Sequence, residues 1–151
     1  MIPIDLDGLA LDPIRAYTRT MSTCYADTLR LSARKITARY DAALAPTGLT
    51  IAQFALLRKI RRAGEPSLTD LGRRAGLDRS TIGRNVRVLE KAGFVALASG
   101  KDQREATVAL TRIGHETLAR AEPLWEQVQG EVEQVLGPAG LTGLKRLAGA
   151  F

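Results

Sequence analysis

The sequence predicts a mainly α chain with one small β-hairpin, an α+β class. Three observations predict it. Residues 14–44 contain no Gly or Pro and place apolar side chains at three- and four-residue steps. Two short helical segments between Ser67 and Lys91 are joined by a tight Gly-containing turn. Two five-residue runs, 94–98 and 106–110, flank a polar tip. The 151 residues, 45% hydrophobic and 25% charged, fit one compact domain over 1–151.

Taken in order, Asp12-Pro13 signals the start of a long helix covering 13–45. Ile14, Tyr17, Met21, Cys24 and Leu31 form one stripe, and Tyr25, Leu29, Ile36 and Tyr40 form another, so partners on two sides are expected. Pro46 and Gly48 break the pattern, and Thr50 is placed to cap a second helix through about Ala63, with Ile51, Phe54, Leu57 and Ile60 inward. Gly64-Glu65-Pro66 is a turn, after which Ser67–Ala75 reads as a short helix closed by Gly76. Asp78 is the expected N-cap of the next helix, whose apolar face is Ile82, Val86 and Leu89 and which Ala92-Gly93 ends. Residues 94–98 and 106–110 then pair around the tip Ser99–Glu105. Thr111 caps a last long helix, in which Leu118, Ala121, Trp125, Val128, Val132 and Val135 form a heptad-like seam that seeks another helix. Pro123 is expected to kink it, and Gly137-Pro138 to end it before an amphipathic tail of Leu141, Leu144, Leu147 and Phe151.

The net charge is +6, from 22 Lys/Arg against 16 Asp/Glu. All of the excess lies between Phe54 and Glu105, where 12 basic residues face 6 acidic ones; the remainder carries 10 of each. A confined basic region points to a polyanion. With only 5% aromatic residues there is little material for stacking single strands, which favours duplex DNA. One Cys and one His exclude an intramolecular disulfide or a Cys/His zinc cluster within the chain. No phosphate loop, carboxylate pair or positioned nucleophile is evident, so neither an enzyme nor a cofactor is expected. The N-terminus lacks a secretory signal and no run reaches membrane-spanning length, so a cytoplasmic protein without a membrane partner is expected.

With Ile82, Val86 and Leu89 inward, a rotation of about 100° per residue puts Ser80, Thr81, Arg84, Arg87 and Lys91 on or near the opposite face. Short hydroxyl residues approach a groove closely, and arginines reach guanine edges or phosphates. Asn85 joins Ser80, Thr81, Arg84 and Arg87 as an expected DNA contact. The same pattern would suit a solvated basic face, but the adjoining turn, the hairpin and the confined charge favour DNA. In the tip, Arg104 suits a narrow minor groove, and Asp102 can hold a guanidinium in a fixed direction.

These residues resemble the MarR-type winged-helix transcriptional regulators. The likeness runs from about Cys24 to Trp125 and rests on Gly48-Leu49-Thr50 with Gln53-Phe54, on Leu68-Thr69-Asp70-Leu71, and on Ser80-Thr81 through Leu89-Glu90-Lys91-Ala92-Gly93-Phe94-Val95. Asp102-Gln103-Arg104, followed by Leu110-Thr111 and Gly114, is its most specific part. The resemblance implies a homodimeric repressor or activator with a winged helix-turn-helix lobe over 50–110 and intertwined dimerisation helices over 13–45 and 112–151. It also implies recognition helices in successive major grooves, wings in the flanking minor grooves, and a small-molecule or oxidant signal. The exposed apolar seams independently call for a dimer, and a two-fold dimer calls for a near-palindromic operator. Release by a small aromatic or other organic effector is the expected control.

For the signal, Arg30 could anchor a carboxylate, with Tyr40 and Phe54 lining an apolar pocket and His115 pointing into it; alternatively Tyr40 and Phe54 are core. Cys24 resembles the oxidisable cysteine of the hydroperoxide-sensing branch. However, aligning Arg34 and Tyr40 to that branch puts its reactive position at Ala26, about 200° around the helix. A buried structural thiol is therefore the expectation for Cys24, with oxidant sensing as the alternative. A winged helix serving only as a protein-interaction module is the other rival reading.

Overall fold

The computed structural model describes residues 24–99 and 106–150. The hairpin tip with Asp102 and Arg104 lies outside the described residues, as do Ile14, Tyr17 and Met21. The chain divides into two units, Met1–Ile36 and Thr37–Phe151.

Helix α1 is described from Tyr25 to Leu44. Tyr25, Leu29 and Ile36, three of the four residues of its second stripe, are exposed, whereas Tyr40 is buried. Cys24 departs from expectation, because its thiol is exposed. It stands just before α1, where its carbonyl accepts from Thr28 N, and so does not sit within a packed helical stripe.

A short 3-10 turn, Ala45–Thr47, leads to α2, Ile51–Ala63. Thr50 starts α2 with a full capping box: its Oγ1 accepts from Gln53 N (3.3 Å), and Gln53 Oε1 accepts from Thr50 N (2.9 Å). Asp41 Oδ1 accepts from Ile51 N at 2.6 Å, satisfying another orphan donor and tying the end of α1 to the start of α2. Helix α3, Leu68–Ala75, is capped by Ser67 and ends at Gly76, whose φ of 65° only glycine adopts without strain. Helix α4, Arg79–Lys91, starts at the Asp78 cap as expected.

Strands β1 (Val95–Ser99) and β2 (Ala106–Leu110) pair antiparallel, with Val95 opposite Leu110 and Ser99 opposite Ala106. Val108 N donates to Pro66 O at 3.0 Å and Ser67 bridges Thr107, so the segment before α3 acts as a third edge to the hairpin. The hairpin begins one residue later than the sequence suggests. Phe94 is left out of the strand because its amide N–H donates to Leu89 O (2.9 Å) at the end of α4, although its carbonyl still accepts from Thr111 N (3.0 Å), the next rung in register.

That helix, α5, runs Arg112–Ala148 with a break at Gly137 (φ 60°, ψ 176°). Pro123 does not break the helical dihedrals; among the described residues of α5 only Gly137 does. The break falls at the Gly137-Pro138 step where the sequence ends the helix, at a positive φ that carries no Cβ penalty for glycine, and a further helical segment follows it. Gly114, one turn in, permits close packing. A Cβ there would come within 2.0 Å of Phe94 O.

The core joins Phe54, Leu57 and Ile60 of α2 to Leu71 of α3, to Ile82, Val86 and Leu89 of α4, to Val95 and Val108 of the hairpin, and to Leu118 and Ala121 of α5. Each such aliphatic side chain contributes about 1.5–3 kcal/mol on burial. The α5 seam therefore splits. Leu118, Ala121 and Val128 are buried within the chain itself, not left for another helix, while Val135 remains 87% exposed.

Candidate nucleic-acid interface

Helix α4 is fixed by its inner face, since Ile82, Val86 and Leu89 are fully buried. The helical period then dictates what points out. Ser80, Arg84, Arg87 and Lys91 are exposed and Thr81 is half-buried, as the sequence predicts. Leu68 of α3 together with Arg79, Ser80, Gly83, Arg84 and Arg87 of α4 lines an open cleft of about 580 Å³. Three arginines border this one cleft, and arginines so grouped suit phosphates or guanine edges.

The head of α4 is ordered by one carboxylate. Asp78 Oδ1 accepts from Thr81 N (2.9 Å) and Ser80 Oγ (2.6 Å), and Oδ2 accepts from Thr81 Oγ1 (2.7 Å). The Ser80 hydroxyl, then the Thr81 hydroxyl and amide, hold the Asp78 carboxyl far below the usual carboxylate range. Arg84 Nη2 in turn donates to Thr81 Oγ1 at 3.3 Å.

Asn85 is exposed but does not share the arginine cleft. It stands about 100° around the helix from Arg84. There it lines a separate crevice of about 200 Å³ with Thr50, Gln53, Leu56 and Val88, between α4 and the start of α2. Conversely, Arg79 and Gly83 line the cleft but were not singled out in the sequence. Arg79 precedes the apolar repeat of α4, and glycine carries no side-chain signal. Only the neighbouring α3 reveals that both border the same space.

Four residues are expected to hold an effector. Phe54 is 1% exposed and belongs to the core, and Tyr40 is buried with its hydroxyl donating to Gln129 Oε1 (2.8 Å). Burial, and then the Glu133 charge, push the Tyr40 hydroxyl up. His115 and Arg30 are exposed. Neither the arginine cleft nor the Asn85 crevice includes any of the four.

Arg58, which sequence reasoning passed over, lies against two aromatic rings. Its guanidinium carbon is 4.2 Å from the Trp125 ring centroid and 5.5 Å from that of Phe54, and the rings are 5.8 Å apart. Its Nε is buried without a hydrogen-bond partner among the described residues. No group of three or more His, Cys, Asp or Glu side chains that could hold a metal occurs among the described residues. No described helix is long and apolar enough to cross a membrane.

A capped helix pair with a basic outer face, followed by a two-stranded hairpin, defines a winged helix-turn-helix protein. Residues 47–105 match the model of the MarR family. M. tuberculosis transcriptional regulator MosR, solved in complex with DNA, is 35% identical with a TM-score of 0.76, the match covering 85% of this chain and 96% of that one. Bordetella bronchiseptica BpsR, whose DNA binding is regulated by 6-hydroxynicotinic acid, is 25% identical with a TM-score of 0.75, covering 85% and 92%. An HTH-type transcriptional regulator of Bacillus subtilis, YwoH, is 31% identical over 81 residues, which is 54% of this chain and 59% of that protein. The chain belongs to the MarR family of DNA-binding transcriptional regulators. That family is one of regulators, not of enzymes.

Proposed function

We propose that this chain is a cytoplasmic repressor that binds a near-palindromic operator as a homodimer and is released by a small organic effector. The observation that carries the reading is the outer face of α4, where Ser80, Arg84 and Arg87 border one cleft while the opposite face is sealed into the core. In this reading residues 50–110 form the DNA-binding lobe, and Ser80, Thr81, Arg84 and Arg87 enter the major groove. Arg79 reaches the adjacent phosphates, and Asn85 contacts DNA from the flank of α4. Asp102 and Arg104 of the hairpin tip serve the minor groove.

Dimerisation is assigned to 13–45 and 112–151. Exposed Leu29 and Ile36 on the first segment, and exposed Val135, Leu144 and Leu147 on the second, support it as apolar surface that a partner would cover.

For the effector, an aromatic acid is the class proposed, by analogy with BpsR. The buried, unpartnered Arg58 Nε beside Phe54 and Trp125 favours this class, because a carboxylate is its natural partner. Tyr40, His115 and Arg30 remain further candidates for effector contact.

The test is a titration against randomised duplex pools at two salt concentrations, with the enriched sequences read afterwards. A near-palindrome with half-sites about one helical turn apart is the expected result. Weak, strongly salt-dependent and sequence-blind binding would overturn the reading and leave the protein-interaction module in its place.

A further inference from the structure

A hydroxyl has one proton and two lone pairs, so the destination of the proton decides what the group can offer a base. At the head of α4 both protons are already committed. Ser80 Oγ donates to Asp78 Oδ1 at 2.6 Å, and Thr81 Oγ1 donates to Asp78 Oδ2 at 2.7 Å. An ionised carboxylate only accepts, so neither bond can run the other way. Asp78 is exposed and ionised at neutral pH as any exposed carboxyl is, and its three bonds favour that charged form further. One lone pair of Thr81 Oγ1 also receives Arg84 Nη2, at 3.3 Å. What remains outward on Ser80 is acceptor capacity, on the wall of the arginine cleft.

We propose that Asp78 is a specificity-determining positioning residue: by drawing the protons of Ser80 and Thr81 inward, it makes them acceptor-only groups that read base amino groups. In the major groove, cytosine N4 and adenine N6 present amino donors, whereas guanine offers only acceptors and thymine an acceptor and a methyl group. Ser80 therefore selects cytosine or adenine at one operator position and discriminates against guanine and thymine. It also cannot donate to a phosphate. Arg84 and Arg87 are donor-only, so the face divides its work, with arginines for guanine or phosphate and the Ser80 oxygen for an amino group. The proposal rests on the reading that α4 lies in the major groove.

Asp78→Gly is the informative change. Asp78→Asn would not serve, because the oxygen that caps Thr81 N is the one that also accepts from Ser80, so an amide that kept the cap would keep the Ser80 proton inward. Glycine as an N-cap costs only about a few tenths of a kcal/mol and removes both carboxylate oxygens, which frees the Ser80 and Thr81 protons to turn outward. Selections from a randomised duplex pool would be run with the wild type, Asp78→Gly and Ser80→Ala, with circular dichroism confirming that each is folded. The wild type should hold cytosine or adenine at one position in each half-site. Asp78→Gly should raise guanine or thymine there by roughly fivefold or more relative to cytosine and adenine, and Ser80→Ala should flatten that same position.

The ratio of bases within one pool is insensitive to the charge that Asp78→Gly removes, which acts on all sequences alike. Unaltered preferences in Asp78→Gly would overturn the proposal, even with a uniform gain in affinity, since that gain would mean a hydroxyl or a lost charge acting on phosphate. A guanine or thymine preference in the wild type at the Ser80-dependent position would overturn it equally. Failure of the wild type to enrich any sequence would instead overturn the DNA reading on which the proposal stands.

Discussion

Replacing Gly114 with alanine puts a methyl carbon 2.0 Å from Phe94 O, 3.0 Å from Phe94 C and 3.2 Å from Leu110 Cδ2. A relaxed carbon–oxygen contact is about 3.3 Å or more, so the carbonyl or the head of α5 must retreat by about 1 Å. The displaced carbonyl accepts from Thr111 N at 3.0 Å, a hydrogen bond worth about 1 kcal/mol net. Overpacking of this kind costs about 1–3 kcal/mol, while alanine returns about 1 kcal/mol of helix propensity. The balance is a loss of about 1–3 kcal/mol. At about 2–4 °C per kcal/mol for a chain of this size, the midpoint should fall by about 4–8 °C for a loss near 2 kcal/mol. Urea and thermal unfolding followed by circular dichroism at a fixed protomer concentration would measure it, since association shifts apparent stability. Gly83→Ala in α4 is the control, because nothing lies within 4 Å of a Cβ at that position. It should gain about 0.5–1 kcal/mol. Equal or higher stability in Gly114→Ala would refute the claim that the junction of hairpin and α5 has no room for a side chain.

The same Gly83→Ala variant, though more stable, should bind duplex DNA more weakly, because Gly83 lines the arginine cleft; unaltered affinity would take that wall out of the interface. Arg84→Ala should cost about 1–3 kcal/mol of binding and relax base choice at one operator position, whereas an equal loss on all sequences would make Arg84 a phosphate contact. Thr50→Ala, which removes one half of the capping box, should lower stability by about 1 kcal/mol in the same unfolding assay. The Arg61 hydrogen bond holds the Glu122 carboxyl below its ordinary value of 4.5. Its stabilising contribution is thus full above that pH and is lost as pH falls through the depressed value. Both side chains are about one-third exposed, so this amounts to about 0–1 kcal/mol. Glu122→Gln should flatten the acid limb of stability below pH about 4.5, and a limb parallel to wild type would dismiss the pair as a contributor.

Much of the candidate interface was legible because it is local. Thr50, Asp78 and Thr111 all cap the helices they precede, since an N-cap needs only its own side chain and an amide three residues on. The face of α4 followed from the spacing of Ile82, Val86 and Leu89 for the same reason. Asn85 shows the limit of that reasoning. Rotation placed it to one side of Arg84, but only the presence of α2 beside α4 gave that side its own crevice.

The seam of α5 marks the boundary between the two kinds of information. Its 3,4 repeat specified an apolar stripe, and a stripe has no label for what covers it. The lobe core takes Leu118 and Ala121, Val128 is also buried, and Val135, further along, stays in solvent. Pro123 kept its helical backbone, whereas Gly137 broke it. Cys24, read as buried from its stripe, is exposed just ahead of α1.

The sequence by itself determined the helix pair, its caps, the hairpin, the confined positive charge and the outward residues of α4, because each depends on residues within about one turn or on a simple period. Tertiary structure alone decided that Arg58 lies over Trp125 and Phe54, that Arg79 and Gly83 share a cleft with Arg84, and that Gly114 must lack a side chain. These are distances between elements, set by how the packed core positions α2, α3, α4 and α5, and no repeat within any one of them encodes such a distance.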